Sequence, residues 1–114
     1  KTIVTILEDK APVGFFILDF GNDKLELKNN ESAILLRSLS VNPNIQGKGI
    51  GKKAMSQLRK FISENFSDVN EILLSVHKYN LSATKLYYLV GFVDTGLEVL
   101  SPAGEDLSVL SLAL

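Results

Sequence analysis

Two periods of apolar spacing divide this chain into elements. The run TIVTILE at 2–8 is β-branched and apolar, and Glu8-Asp9-Lys10 breaks it with a turn. APVGFFILDF at 11–20 resumes a strand, Gly21-Asn22-Asp23-Lys24 turns the chain again, and a short piece around Leu25 to Leu27 extends that hairpin. β-Branched and aromatic runs between clusters of turn residues read as strands. SAILLRSLSV at 32–41 is a long apolar run, shorter than a typical bundle helix and closed by Asn42-Pro43-Asn44. Proline disfavours helix in the residue before it, so the run is predicted to be a buried strand.

Beyond this turn the period lengthens. Ile50, Ala54, Leu58, Phe61 and Ile62 fall on one helical stripe, while Lys52, Lys53, Ser56, Arg59, Lys60 and Ser63 fill the other side. This spacing predicts an amphipathic helix over about 49–65. NEILLSVH at 70–77 reads as a strand, and a second helix is predicted over 81–89, stopped by Val90-Gly91. Two closing strands, 92–100 and 106–113, flank the turn Ser101-Pro102-Ala103-Gly104-Glu105. The unit 32–77 is strand–helix–strand, so its strands should run parallel with a right-handed crossover. The outer strands come in hairpin pairs and should be antiparallel. The expected fold is therefore α/β of the mixed α+β kind, one domain over 1–114 around a mostly antiparallel sheet.

Composition narrows the function without naming it. The chain has 114 residues, 46% hydrophobic and 22% charged, a globular balance. Its 12 basic and 13 acidic residues leave a formal charge of −1, which argues against gripping nucleic acid by its phosphates. With no cysteine there is no disulfide, thiolate metal site or cysteine nucleophile, and a cytoplasmic setting fits. No apolar run approaches the ~18–20 residues of a membrane span, so no membrane partner is expected.

The segment NIQGKGIGKK at 44–53 puts three glycines and three lysines where the first helix is about to start. Glycine is costly inside a helix, by roughly 0.5–1 kcal/mol relative to alanine. Its presence implies a sharp turn or the close approach of a ligand. Helix N-termini leave backbone N–H groups unpaired and favour negative charge. Glycines remove the Cβ atoms that would hold an anion away. Two phosphate-binding patterns fail here. The P-loop needs four residues between its glycines and Ser or Thr after the lysine, whereas Gly47 and Gly51 enclose three residues and Lys53 follows Lys52. In the dinucleotide fingerprint the third glycine would come one residue later than Gly51.

A third pattern, Q/R-x-x-G-x-G/A, is matched by Gln46, Gly49 and Gly51, and here the chain resembles the GNAT superfamily of acyl-CoA-dependent N-acetyltransferases. LRSLSVNPNIQGKGIG resembles the family's fourth strand and its loop, and NLSATKLYYLVGF resembles its second signature, N-x-x-A-x-x-L-Y-x-x-x-G-F. Asn80, Ala83, Leu86, Tyr87, Gly91 and Phe92 match that signature throughout. The resemblance implies an enzyme that uses acetyl-CoA as co-substrate, without a metal, to acetylate a primary amine of a small molecule or protein. It also implies that the coenzyme pyrophosphate rests on backbone amides of Gln46, Gly47, Lys48, Gly49, Ile50, Gly51 and Lys52. Leu39, Ser40 and Val41 would pair with the pantetheine arm like an added strand, and Asn80 would hydrogen-bond it. Family members usually carry a strand and two helices ahead of the first hairpin seen here, forming one wall of the acceptor site. The sequence is accordingly expected to start inside a longer chain. A homodimer is compatible with the fold.

Acetyl transfer to an amine asks for a held thioester, a base for an amine whose pKa is about 10.4, an oxyanion donor and an acid for the departing thiolate. By family pattern Tyr87 is the acid. By spacing alone it is as well a core aromatic, since Ala83, Leu86, Tyr87 and Val90 form a helical stripe. Asn80 is equally suited to cap the second helix. The base is less defined: residues 32–41 contain no carboxylate and only Arg37 is charged, while Glu31 lies just before that strand. His77, the sole histidine, ends the next strand and is a candidate base or a structural strand-end residue. A non-catalytic acyl-CoA-binding module on the same fold is the alternative, because fold does not fix function.

Overall fold

The predicted elements form in the predicted order. A computed structural model describes residues 2–8, 11–19, 30–41 and 49–114. The strands are β1 (Thr2–Glu8), β2 (Ala11–Asp19), β3 (Ala33–Val41), β4 (Glu71–His77), β5 (Val93–Leu100) and β6 (Asp106–Ala113). Helix α1 (Ile50–Asn65) joins β3 to β4, and α2 (Leu81–Leu89) joins β4 to β5. The turn at 21–24, the short piece at 25–27 and most of the glycine loop, 42–48, lie outside the described residues.

All six strands lie in one sheet of order β1-β2-β3-β4-β6-β5. The β3–β4 pair is parallel, and the other neighbouring pairs are antiparallel. The sequence pattern does not reveal that β6 sits inside the sheet, between β4 and β5. The reason is burial. β6 buries Val109, Leu110, Ser111 and Leu112 in a row, as an inner strand must, whereas β5 is largely exposed and broken by Gly96 at φ 82°.

One face of the sheet carries both helices. Phe16, Leu18, Ile34, Leu36, Ile72, Leu74, Val76, Leu110 and Leu112 meet Ala54, Met55, Leu58 and Ile62 of α1 in a single core. Removing such side chains from water contributes about 1.5–3 kcal/mol each. Ala83, Tyr87 and Val90 of α2 pack against the same core half-buried, and α2 has no fully buried residue. The opposite face has a smaller cluster of Ala33, Leu73, Val109 and Val99.

The sheet is clamped at one end and split at the other. At the N-terminal end of β4, the buried Glu71 accepts hydrogen bonds from Asn30 Nδ2 (2.9 Å) and from the Ser111 hydroxyl, tying the approach to β3 to β4 and β6. Asn30 Nδ2 also reaches Asn70 Oδ1 at 2.9 Å. The parallel pairing then runs only from Ala33, Ile34 and Leu35 to Glu71, Ile72 and Leu73. Past these residues β3 stays on β2 as far as Val41, and β4 stays on β6 as far as His77. A bulge marks the parting: Leu18 lies opposite Leu36 but Ile17 opposite Ser38, so Arg37 is the extra residue. Bulges bend a strand and increase its twist. Arg37 Nε holds Asp19 Oδ2 at 2.8 Å across the same strand pair, with the Asp19 carboxylate nearly buried.

Candidate active site

The split opens at the C-terminal ends of two parallel strands, the usual place for a ligand in an α/β sheet. Three features converge on it: the backbone edges of β3 and β4, the start of α1 and the start of α2. From Leu36 to Val41 one edge of β3 has no strand partner among the described residues, and the same holds for β4 from Leu74 to His77. Leu39, Ser40 and Val41 lie on that open stretch of β3.

Helix α1 starts abruptly. Its N-cap, Gly49, is left-handed at φ 74° and ψ 8°, a conformation L side chains resist, and its carbonyl accepts the first helical bond from Lys53 N at 3.1 Å. The amides of Ile50, Gly51 and Lys52 precede that donor and so have no partner within the helix. Among the described residues no side chain caps them and no acid stands in the first turn. Among the described residues, a Cβ built on Gly49 would meet nothing within 4 Å. Gln46, Gly47 and Lys48 lie outside the described residues. Among the described residues of the segment, Gly49 is the glycine whose conformation requires it, and the lysines Lys52 and Lys53 are exposed around the helix start.

Asn80 does cap α2: its Oδ1 accepts from Ala83 N at 3.2 Å. The side-chain amide donor has no partner among the described residues. A backbone bond from Asn80 N to His77 O, 3.0 Å, closes the turn between β4 and α2. Two turns along α2, Tyr87 lies in the helix-side core with its ring edge-on to Phe92, centroids 5.6 Å apart. Burial pushes its phenol above the ordinary value of 10.0, because the apolar surroundings disfavour a phenolate. Its hydroxyl makes no hydrogen bond among the described residues. Tyr88, the next residue, is 47% exposed.

His77 lies elsewhere. Alternation along β4 sends Ile72, Leu74 and Val76 into the helix-side core, so His77 projects from the opposite face. There its Nδ1 lies 3.2 Å from Glu105 Oε2, both side chains being at least half exposed. Tyr87 therefore lies on the helix side of the sheet and His77 on the opposite face. Glu105 is the residue that sequence reading passed over as a turn residue. No local sequence signal marks it, because the β4–β6 register alone brings it to His77. Glu31, the carboxylate before β3, is exposed at the clamped end of the sheet, away from the split. Among the described residues no cluster of His, Cys, Asp or Glu could hold a metal ion, and no helix is long and apolar enough to cross a membrane.

A sheet split between parallel strands, with an uncapped helix start at its mouth, has the shape and polarity that suit an extended ligand with an anionic end. The chain belongs to the Acetyltransferase (GNAT) family, whose profile matches residues 1–92. It is 45% identical over 105 residues to the Uncharacterized N-acetyltransferase YbbJ of Bacillus subtilis (strain 168), covering 91% of this chain and 66% of that protein. Among solved structures it is similar to aminoglycoside acetyltransferase AAC(6')-Ib in complex with coenzyme A, with TM-score 0.79 and 19% identity over 94% of this chain and 62% of that one. The ribosomal-protein-S18-alanine N-acetyltransferase from Escherichia coli is another, with TM-score 0.70 and 19% identity over 96% of this chain and 66% of that one. At these identities the structural likeness shows a shared fold. The chain spans just under two thirds of the length of each of these relatives.

Proposed function

We propose that this protein is an N-acetyltransferase that moves an acetyl group from acetyl-CoA to a primary amine by direct transfer. The observation that carries the reading is the split between β3 and β4, with the uncapped start of α1 at its mouth. Family membership supports acyl transfer, and coenzyme A in the structurally similar AAC(6')-Ib supports the donor. The residues present fit such a donor: among the described residues nothing crowds Gly49, the amides that follow it have no partner within the helix, and β3 offers an unpaired edge long enough for an extended arm.

Acetyl-CoA supplies the activated acyl group. The amides from Gln46 to Lys52 take the pyrophosphate, with Lys48 and Lys52 adding positive potential. The backbone of Leu39, Ser40 and Val41 pairs with the pantetheine arm, the amide near Val41 faces the thioester oxygen, and Asn80 Nδ2 donates to the arm. The amine loses a proton to His77, directly or through water, and forms a C–N bond as the C–S bond breaks. Tyr87 gives its proton to the departing sulfur. That phenol carries its proton at neutral pH, as an acid must, and burial pushes it further in the same direction. The two groups come from opposite faces of the sheet, Tyr87 from the helix side and His77 from the other.

The test is a Tyr87→Phe variant assayed for thiol release over a panel of primary amines, with coenzyme affinity measured alongside. Turnover should fall by ~10²-fold or more, the scale of a positioned acid, while coenzyme affinity stays within about twofold. Unchanged turnover would remove Tyr87 from the chemistry. Tight binding of acetyl-CoA with no turnover on any amine would instead mark a non-catalytic acyl-CoA-binding module, the reading favoured by the absence of a carboxylate along β3.

A further inference from the structure

The strand register that builds the open end of the split also builds a pair of side chains. His77 pairs with Leu107 across β4 and β6, and Glu105 lies two residues before Leu107. Glu105 ends the turn just before β6, where the register brings it within reach of the His77 side chain. The contact is made at Nδ1: Glu105 Oε2 stands 3.2 Å from it.

Both ends of this contact have a fixed backbone. Glu105 N donates to Ser101 Oγ at 3.0 Å, and Glu105 O accepts from Ser101 N at 2.8 Å. Gly104, left-handed at φ 80°, donates to Ser101 O at 2.9 Å and completes the turn. On the other side, His77 O accepts from Asn80 N, and Lys78 N reaches Asp106 O at 3.4 Å. The neighbouring cation, Lys78, is engaged by Glu98, which holds it charged and leaves Glu105 to the histidine.

The geometry points to Glu105 as a positioning residue for His77. A carboxylate at Nδ1 favours the tautomer that carries its proton on that nitrogen. The lone pair then lies on Nε2, on the far side of the ring, where it can accept a proton. A base oriented by a third group is a recurring arrangement in acyl transfer. This assignment rests on the proposed role of His77 as base, and nothing in it requires Glu105 to touch the substrate.

Because His77 is the sole histidine, its ring nitrogens can be read without ambiguity by nitrogen NMR of the 114-residue chain labelled at histidine. The spectrum is taken at alkaline pH, where the ring is neutral. The expected result is a proton on Nδ1 in the wild type, lost to the Nε2–H form in Glu105→Ala and retained in Glu105→Gln, whose amide oxygen can still accept. A wild-type ring protonated on Nε2, or a tautomer indifferent to Glu105→Ala, overturns the assignment. In steady-state assays Glu105→Ala should lower kcat by about tenfold or more with the acetyl-CoA KM unchanged, and Glu105→Gln should restore most of it, within the ~10²–10⁴-fold a positioned base contributes. A His77→Ala variant separates the two claims. If it turns over as fast as wild type while the tautomer still follows Glu105, the base assignment falls and the positioning contact stands.

Discussion

At Gly49 and Tyr87 the two candidate ends of the coenzyme site depend on single atoms. Gly49 sits at φ 74° with open space where a Cβ would go, so Gly49→Ala costs backbone strain and no clash. The expected loss is about 1–2 kcal/mol, read as a lower denaturation midpoint in urea. Gly49→Glu should go further and abolish coenzyme binding in a calorimetric titration while the fold survives, because it sets negative charge where the pyrophosphate is proposed to lie. Tyr87 carries a different signature. The folded chain keeps its phenol protonated to higher pH than the unfolded chain does, since burial raises it from 10.0. That contribution to stability is whole below the unfolded value and is lost as pH rises through the folded one. Melting temperatures followed from about pH 9 upward should therefore fall less steeply for Tyr87→Phe than for wild type. Parallel curves for the two would mean that the phenol is not buried.

At the scale of elements, the helix starts are where sequence and structure meet most closely. Asn80 caps α2 as its residue type suggests, and Asn80→Ala should cost about 1 kcal/mol of stability. In a chemical denaturation series this loss should appear whether or not coenzyme is present. The element boundaries were legible because period, proline and glycine act locally: β3 ends at Val41, two residues before the proline that predicted its end, and the stripe of Ala54, Leu58 and Ile62 sets the face of α1. Met55, fully buried beside that stripe, escaped notice because the core is wider than one line of i, i+4 positions. The inner place of β6 and the bulge at Arg37 were not legible, since both are settled between strands distant in sequence. Glu105 was missed for the same reason. Its partner is 28 positions away, and only the β4–β6 register brings them together.

At the scale of the whole molecule, the sheet is two three-stranded ribbons joined along a short seam. β1-β2-β3 and β4-β6-β5 share backbone pairing only at Ala33, Ile34 and Leu35. Below the seam the Glu71 network acts as a rivet, and above it the ribbons part. An extended ligand lying in the gap would act as a basting stitch, bonding to the edge of one ribbon while its phosphates hold the helix that leaves it. Acetyl-CoA at a hundred times its Kd should add about 2.7 kcal/mol to stability, and ATP should add none. The gain should also be uneven: amide exchange should slow most along Leu36 to Val41 and Leu74 to His77, where the two ribbons now hang apart.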